Sequence, residues 1–237
     1  MKVLVYSLRL WAVVLFLAAD LRAAASQERL ILGEHLQFIS LGGYCGPAQY
    51  LNEIGFRTAA FPLDWVFTWD IDGLVQCLEE DFLFFTDESC FQGTQINHRY
   101  HMRFFHDLPE NPCSEQFPHL KAKYDRRIER FRSLRDFKGK VFFIRTWWAR
   151  LAEWNKGDFS QNTTWSQKLK KALDHYFPTL DFVLIIYGYE DLNIPKMEEI
   201  EGVVEIRIQR DAFSFQEQLG EYLGTLEEFK HFRNGSE

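Results

Sequence analysis

Three apolar runs in the second half of the chain limit its fold more than any other feature: VFFI at 141–144, FVLIIY at 182–187 and VVEIRI at 203–208. All are short and rich in β-branched and aromatic side chains, and the first two are apolar at successive positions. Such strands need cover on both faces, the condition of a parallel sheet held between helical layers. Helical stretches near 165–176 and 214–231 flank the last two runs and give the strand–helix alternation of an α/β domain.

The first half supplies further elements. HLQFISL at 35–41 reads as a strand ending at Gly42-Gly43, followed by a short helix over 46–54 with Pro47 near its start and Gly55 as its stop. A second helix is predicted over 70–81, with Ile71, Leu74, Val75 and Leu78 on one stripe and Asp70 or Asp72 as its cap. Residues 96–105 (INHRYHMRFF) alternate like one half-buried strand. Residues 119–136 read as an amphipathic helix with a solvated charged face. No repeat, low-complexity tract or flexible linker divides the chain. The expectation is a single three-layer α/β domain over 26–237, with a mainly parallel or mixed central sheet flanked by helices.

Composition narrows the function. With 46% hydrophobic and 26% charged residues in 237, the chain has ordinary globular proportions. Its 23 Phe, 9 Tyr and 7 Trp mean that rings supply much of the core. The net charge of -7 disfavours nucleic acid as a partner. Residues 1–25 read as a secretory signal: Lys2 and Arg9, an apolar stretch from Leu10 to Ala19, and Ala23-Ala24-Ala25 before a mature start near Ser26. The expected location is secreted or extracytoplasmic, in a secretory-pathway lumen or periplasm, with no stable membrane insertion if the signal is cleaved. Sequons at Asn162 and Asn234 fit a glycoprotein where the host glycosylates. In an oxidising compartment Cys45, Cys77, Cys90 and Cys113 allow three full pairings, or one disulfide and two free thiols.

Cys45 is the first candidate for chemistry. A glycine turn delivers it to a helix start, where unpaired amides and the helix dipole lower a thiol pKa. Gly42 and Gly43 let a substrate approach the backbone, whose amides would hold an oxyanion. The competing reading is a small thiol filling a strand–helix corner, or half of a disulfide. His106 ends the 96–105 segment beside Asp107 and is the expected imidazole partner, against a turn histidine bonded to local backbone. Asp64, in Phe61-Pro62-Leu63-Asp64-Trp65, either orients that imidazole, caps the following turn, or pairs with a buried cation such as Arg145. Arg145 would otherwise bind a substrate carboxylate or sugar oxygen, and Trp65 would line the substrate site. Trp147, Trp148, Trp154 and Trp165 form an aromatic-rich region suited to stacking on sugar rings. His98, His101 and His106 do not share one strand face, so no metal and no cofactor is expected.

In order, Ser40-Leu41-Gly42-Gly43-Tyr44-Cys45, Phe61-Pro62-Leu63-Asp64-Trp65, Phe104-Phe105-His106-Asp107 and Phe142-Phe143-Ile144-Arg145 resemble an uncharacterised domain family described as putative papain-like cysteine peptidases, over about 36–190. The resemblance implies a Cys–His hydrolase: Cys45 as nucleophile, His106 as base, and Asp64 or Asp107 as third member, acting on a peptide, ester or glycan substrate. It also implies a papain-like α+β fold as the alternative to the α/β reading. The Cys-Gly-Ser-Cys-Trp signature of papain itself is absent. A non-enzymatic carbohydrate- or protein-binding domain, and a glycan-modifying enzyme using Asp or Glu chemistry, are the competing functions.

Overall fold

The computed structural model describes residues 35–146, 162–189, 197–209, 211–223 and 225–226. The signal region, Trp147, Trp148, Trp154 and Asn234 lie outside them. In chain order the elements are β1 (Leu36–Ser40), α1 (Gly46–Glu53), β2 (Phe67–Thr68), α2 (Ile71–Glu79), β3 (Ile96–Asn97), β4 (Met102–Arg103), α3 (Phe117–Arg132), β5 (Lys140–Thr146), α4 (Asn162–Tyr176), β6 (Asp181–Tyr189), β7 (Val203–Ile208) and α5 (Ala212–Leu223). The main sheet runs β1-β5-β6-β7 with every pair parallel, and a small antiparallel sheet runs β2-β4-β3. The protein is therefore an α/β domain, and no antiparallel barrel occurs among the described residues.

The apolar runs bury both faces because successive side chains point opposite ways. From β5, Val141 and Phe143 enter one core with Leu184 and Ile186 of β6, while Phe142 and Ile144 enter the other with Ile185 and Tyr187. The first core is closed by α2, α3 and α4 through Leu74, Leu78, Tyr124, Phe131, Leu169 and Leu173. The second is closed by α1 and α5 through Tyr50, Leu51, Phe215 and Leu219. Three layers result, with rings at the centre: Phe143 stacks on Phe177 at 5.6 Å, and Phe104 meets Phe85, Phe91 and Tyr124 edge-on at 5.1–5.4 Å.

Several expectations need correction. The 96–105 segment is a hairpin rather than one strand: β3 and β4 pair antiparallel, Ile96 opposite Arg103 and Asn97 opposite Met102. The cause is the buried Asn97 side chain. Its Oδ1 accepts from Arg99 N (3.0 Å) and Tyr100 N (3.1 Å), and its Nδ2 donates to Phe84 O (2.7 Å), an Asx turn that outcompetes the alternating pattern. The charged face of α3 also does more than meet solvent. Lys123 pairs with Asp107, Arg130 donates to Ala60 O, Arg132 pairs with Asp81 and Arg127 is buried. The last helix, expected over 214–231, ends at Leu223, with 227–231 outside the described residues, and the short strand β2 is not among the expected elements; the helix over 70–81 is α2, with Asp70 capping it by accepting from Asp72 N at 3.0 Å.

Candidate active site

The helix that follows β1, α1, packs on one face of the sheet, and α4, the next described helix after the neighbouring strand β5, packs on the other. The carboxyl edge opens at such a divergence, where α/β proteins place ligands. The turn carrying Cys45 sits there. Gly42 and Gly43 adopt φ of 72° and 94°, and the turn is pinned between Leu41 N→Ile144 O (2.8 Å) and Thr68 N→Gly43 O (3.1 Å). A side chain at Gly42 would meet Leu63 O and Thr68 Oγ1 at 3.0 Å; one at Gly43 would meet Thr146 Cγ2 at 2.7 Å. Only glycine fits this path.

Cys45 is the N-cap of α1, half-buried, and its thiol makes no capping hydrogen bond. Burial pushes its pKa above the ordinary thiol value, partly offset by its own backbone N–H directed at the sulfur. The sequence argument for a lowered pKa at a helix start is thus corrected: α1 has only eight residues, and desolvation of a half-buried sulfur outweighs the dipole. The oxyanion reading shifts too. Gly42 N donates to Ser40 Oγ (3.1 Å) and Gly43 N to Thr68 Oγ1 (2.9 Å), so both glycine amides are taken. The amides of the first turn of α1 have no intrahelical acceptor, as at any helix start.

His106 is exposed at the end of the hairpin, its ring 4.1 Å from Phe105 and edge-on to Trp65 at 5.6 Å. No hydrogen bond joins it to Cys45, Asp64 or Asp107 among the described residues. Asp64, 1% exposed, is spent on a cation and a turn: its Oδ2 accepts from Arg57 Nη2 (2.7 Å), Arg57 Nε (3.1 Å) and Phe61 N (3.0 Å). Burial still raises its pKa against the pull of these donors. The partner is Arg57 rather than Arg145. Asp107 likewise faces α3, bonded to Lys123 and to Tyr124 Oη (2.6 Å). Trp65 is half-buried, with the Arg57 guanidinium 5.7 Å from its ring.

Arg145 is 1% exposed and lies beneath the turn. Nη1 donates to Leu41 O and Thr68 Oγ1, both at 2.8 Å, and Nη2 donates to Thr68 O. Burial lowers its pKa to about 9, which leaves it charged at neutral pH. It is too deep to touch a substrate, which corrects the substrate-binding role read from sequence. Trp165 is half-buried and packs against the first core.

The histidine that does meet a carboxylate is one the sequence reading passed over. His101 Nδ1 lies 2.5 Å from Asp70 Oδ2, on the rim where β2 passes into α2. Thirty-one residues separate the two in sequence, and only the hairpin turn, with His101 at φ 52°, brings them together. All four cysteines are free thiols, and no group of three or more His, Cys, Asp or Glu among the described residues could hold a metal.

An α/β domain presenting a cysteine on a glycine turn between two parallel strand ends defines the class of the protein. The chain belongs to the domain family described as "putative papain-like cysteine peptidase", whose model matches residues 36–100 and 85–190. It is similar to the uncharacterized protein R408 of Acanthamoeba polyphaga mimivirus, with 24% identity over 212 residues, 75% of this chain and 90% of that one. No solved structure matches.

Proposed function

We propose that the protein is an extracytoplasmic thiol hydrolase of the cysteine-peptidase type, with Cys45 as nucleophile and His106 as general base. The observation that carries this reading is the placement of Cys45: half-buried, its thiol making no capping hydrogen bond to α1, on a turn forced open by two glycines at the sheet's carboxyl edge. His106 touches Trp65, and three residues on Thr68 bonds to Gly43 of the Cys45 turn; the reading requires the exposed imidazole to come within reach of the thiol in the substrate complex. His106 then takes the Cys45 proton as the sulfur attacks an amide or ester carbonyl carbon. The C–N or C–O bond breaks, the imidazolium returns its proton to the leaving group, and a thioester remains. Water, deprotonated by the imidazole, attacks the thioester and releases acid and free thiol. The Gly46 amide at the start of α1 receives the oxyanion in both halves. The raised thiol pKa suits this order, since a thiol that keeps its proton at rest needs a base at the moment of attack.

The test is the pH dependence of iodoacetamide labelling at Cys45, mapped by peptide mass, in wild type, His106→Ala and His101→Ala. The expected wild-type profile has a low-pH shoulder that depends on His106 and a second rise above about 8.5, the free-thiol value. His106→Ala should lose the shoulder and label about tenfold more slowly at neutral pH. A single rise above about 8.5 in both proteins, or labelling only after reduction, refutes the hydrolase. Loss of the shoulder in His101→Ala alone transfers the base role to the Asp70–His101 pair.

A further inference from the structure

Arg145 is a buried cation with no carboxylate in ion-pair contact among the described residues, and its Nε has no partner at all. Among the described residues Asp70 acts on it electrostatically, and Asp70 is itself bonded to His101. A buried guanidinium is costly, and an apolar side chain of similar volume is usually the more stable choice at such a place. What the arginine achieves here is geometric. Its three hydrogen bonds reach Leu41, immediately before the glycine turn, and both the hydroxyl and the carbonyl of Thr68 on β2. Thr68 completes the joint by accepting from Gly43 N and donating to Gly43 O. The end of β5, the Cys45 turn and β2 are thereby fixed to one another by five hydrogen bonds around a single threonine and a single arginine.

The joint also reaches the imidazole. β2 pairs with β4, Thr68 opposite Met102 and Phe67 opposite Arg103, and β4 runs directly into Phe104, Phe105 and His106. Phe67 touches Phe105 at 6.3 Å, and Trp65 touches His106 at 5.6 Å. Movement of Thr68 relative to Gly43 therefore moves the His106 hairpin relative to Cys45. We propose that Arg145, acting through Thr68, is a positioning residue that sets the offset between nucleophile and base. The proposal rests on the Cys45–His106 reading. Arginine suits the position because a planar fork holds several acceptors in fixed directions, whereas an ammonium holds none of them in a set plane.

The experiment is the same labelling profile in Thr68→Val, Thr68→Ser and Arg145→Lys, beside wild type and His106→Ala, each at a temperature where circular dichroism shows a folded protein. Thr68→Val and Arg145→Lys should lose the low-pH shoulder and fall to the His106→Ala profile, about tenfold slower at neutral pH. Thr68→Ser, which keeps the hydroxyl, should retain it. A purely structural joint would lower the melting temperature and leave the profile unchanged. Thr68→Val carries the test if Arg145→Lys does not fold, because it removes one hydroxyl and preserves shape. A wild-type shoulder retained in Thr68→Val overturns the proposal alone. Coincident profiles for wild type and His106→Ala overturn the Cys45–His106 reading, and the proposal with it.

Discussion

Replacing Gly43 with alanine separates the turn's backbone requirement from its packing requirement. Gly43 has φ 94°, where an L-residue pays about 1–2 kcal/mol. Its new Cβ would also stand 2.7 Å from Thr146 Cγ2 and 2.9 Å from Thr146 O. The second neighbour is backbone of the parallel sheet and cannot turn aside, so β5 or the turn must shift, at about 1–3 kcal/mol for an overpacked site. The expected loss is about 3 kcal/mol. Gly93 supplies the control, with φ 76° and nothing within 4 Å of a Cβ, so Gly93→Ala should cost only the conformational part, about 1 kcal/mol. Urea unfolding of the two variants gives the difference directly, about 2 kcal/mol if the contact with Thr146 is as tight as the structure has it. A difference below about 0.5 kcal/mol, close to the error of such extrapolations, would refute the claim that β5 constrains the Cys45 turn.

Other consequences concern named residues around the same frame. Glu80, hydrogen-bonded by Arg99 and also by Gln76 and Tyr100, has its pKa lowered from 4.5 to about 2. Its folded value lies below its unfolded one, so its stabilising effect is complete above pH 4.5 and is lost as pH falls towards 2; Glu80→Gln should flatten Tm against pH across that window. Asp64→Asn weakens the hold on Arg57 and should cost about 2 kcal/mol in chemical denaturation while leaving the His106 shoulder intact; the reverse pattern would make Asp64 a partner of the imidazole. Phe104→Ala, at a fully buried ring, should cost about 3–5 kcal/mol, whereas Phe105→Ala, 42% exposed, should cost under about 1 kcal/mol.

The scaffold was legible because its signals are local. VFFI, FVLIIY and VVEIRI carry their burial in their own composition, and Gly42-Gly43 with Pro47 marks the strand end and helix start around Cys45 without help from distant residues. The hairpin at 96–103 was not, because one amide side chain, Asn97, redirects a pattern that alternates well enough for a strand. The site was legible as a set of residue types and not as a set of partners. Asp64 stands in an apolar motif in either case, yet whether Arg57, Arg145 or a histidine lies beside it depends on how the loop over 54–64 closes. Asp70 with His101, and Thr68 with Arg145, join residues 31 and 77 positions apart, and no periodicity encodes such meetings. The thiol pKa was misjudged for the same reason: helix position is visible in sequence, whereas desolvation comes from the neighbours that folding supplies.

The pairing of β1 with β5 also has a consequence in time. The bond from Arg145 to Leu41 spans 104 residues, and at about 5–20 residues per second a ribosome needs about 5–20 s to supply the second partner after the first. Through that interval β1 has no neighbour in its sheet, and Cys45 stands on a turn whose two clasps, Ile144 and Thr68, are not both in place. Cys45 is made early and its setting late, so a nascent chain carries that thiol unprotected until β5 docks.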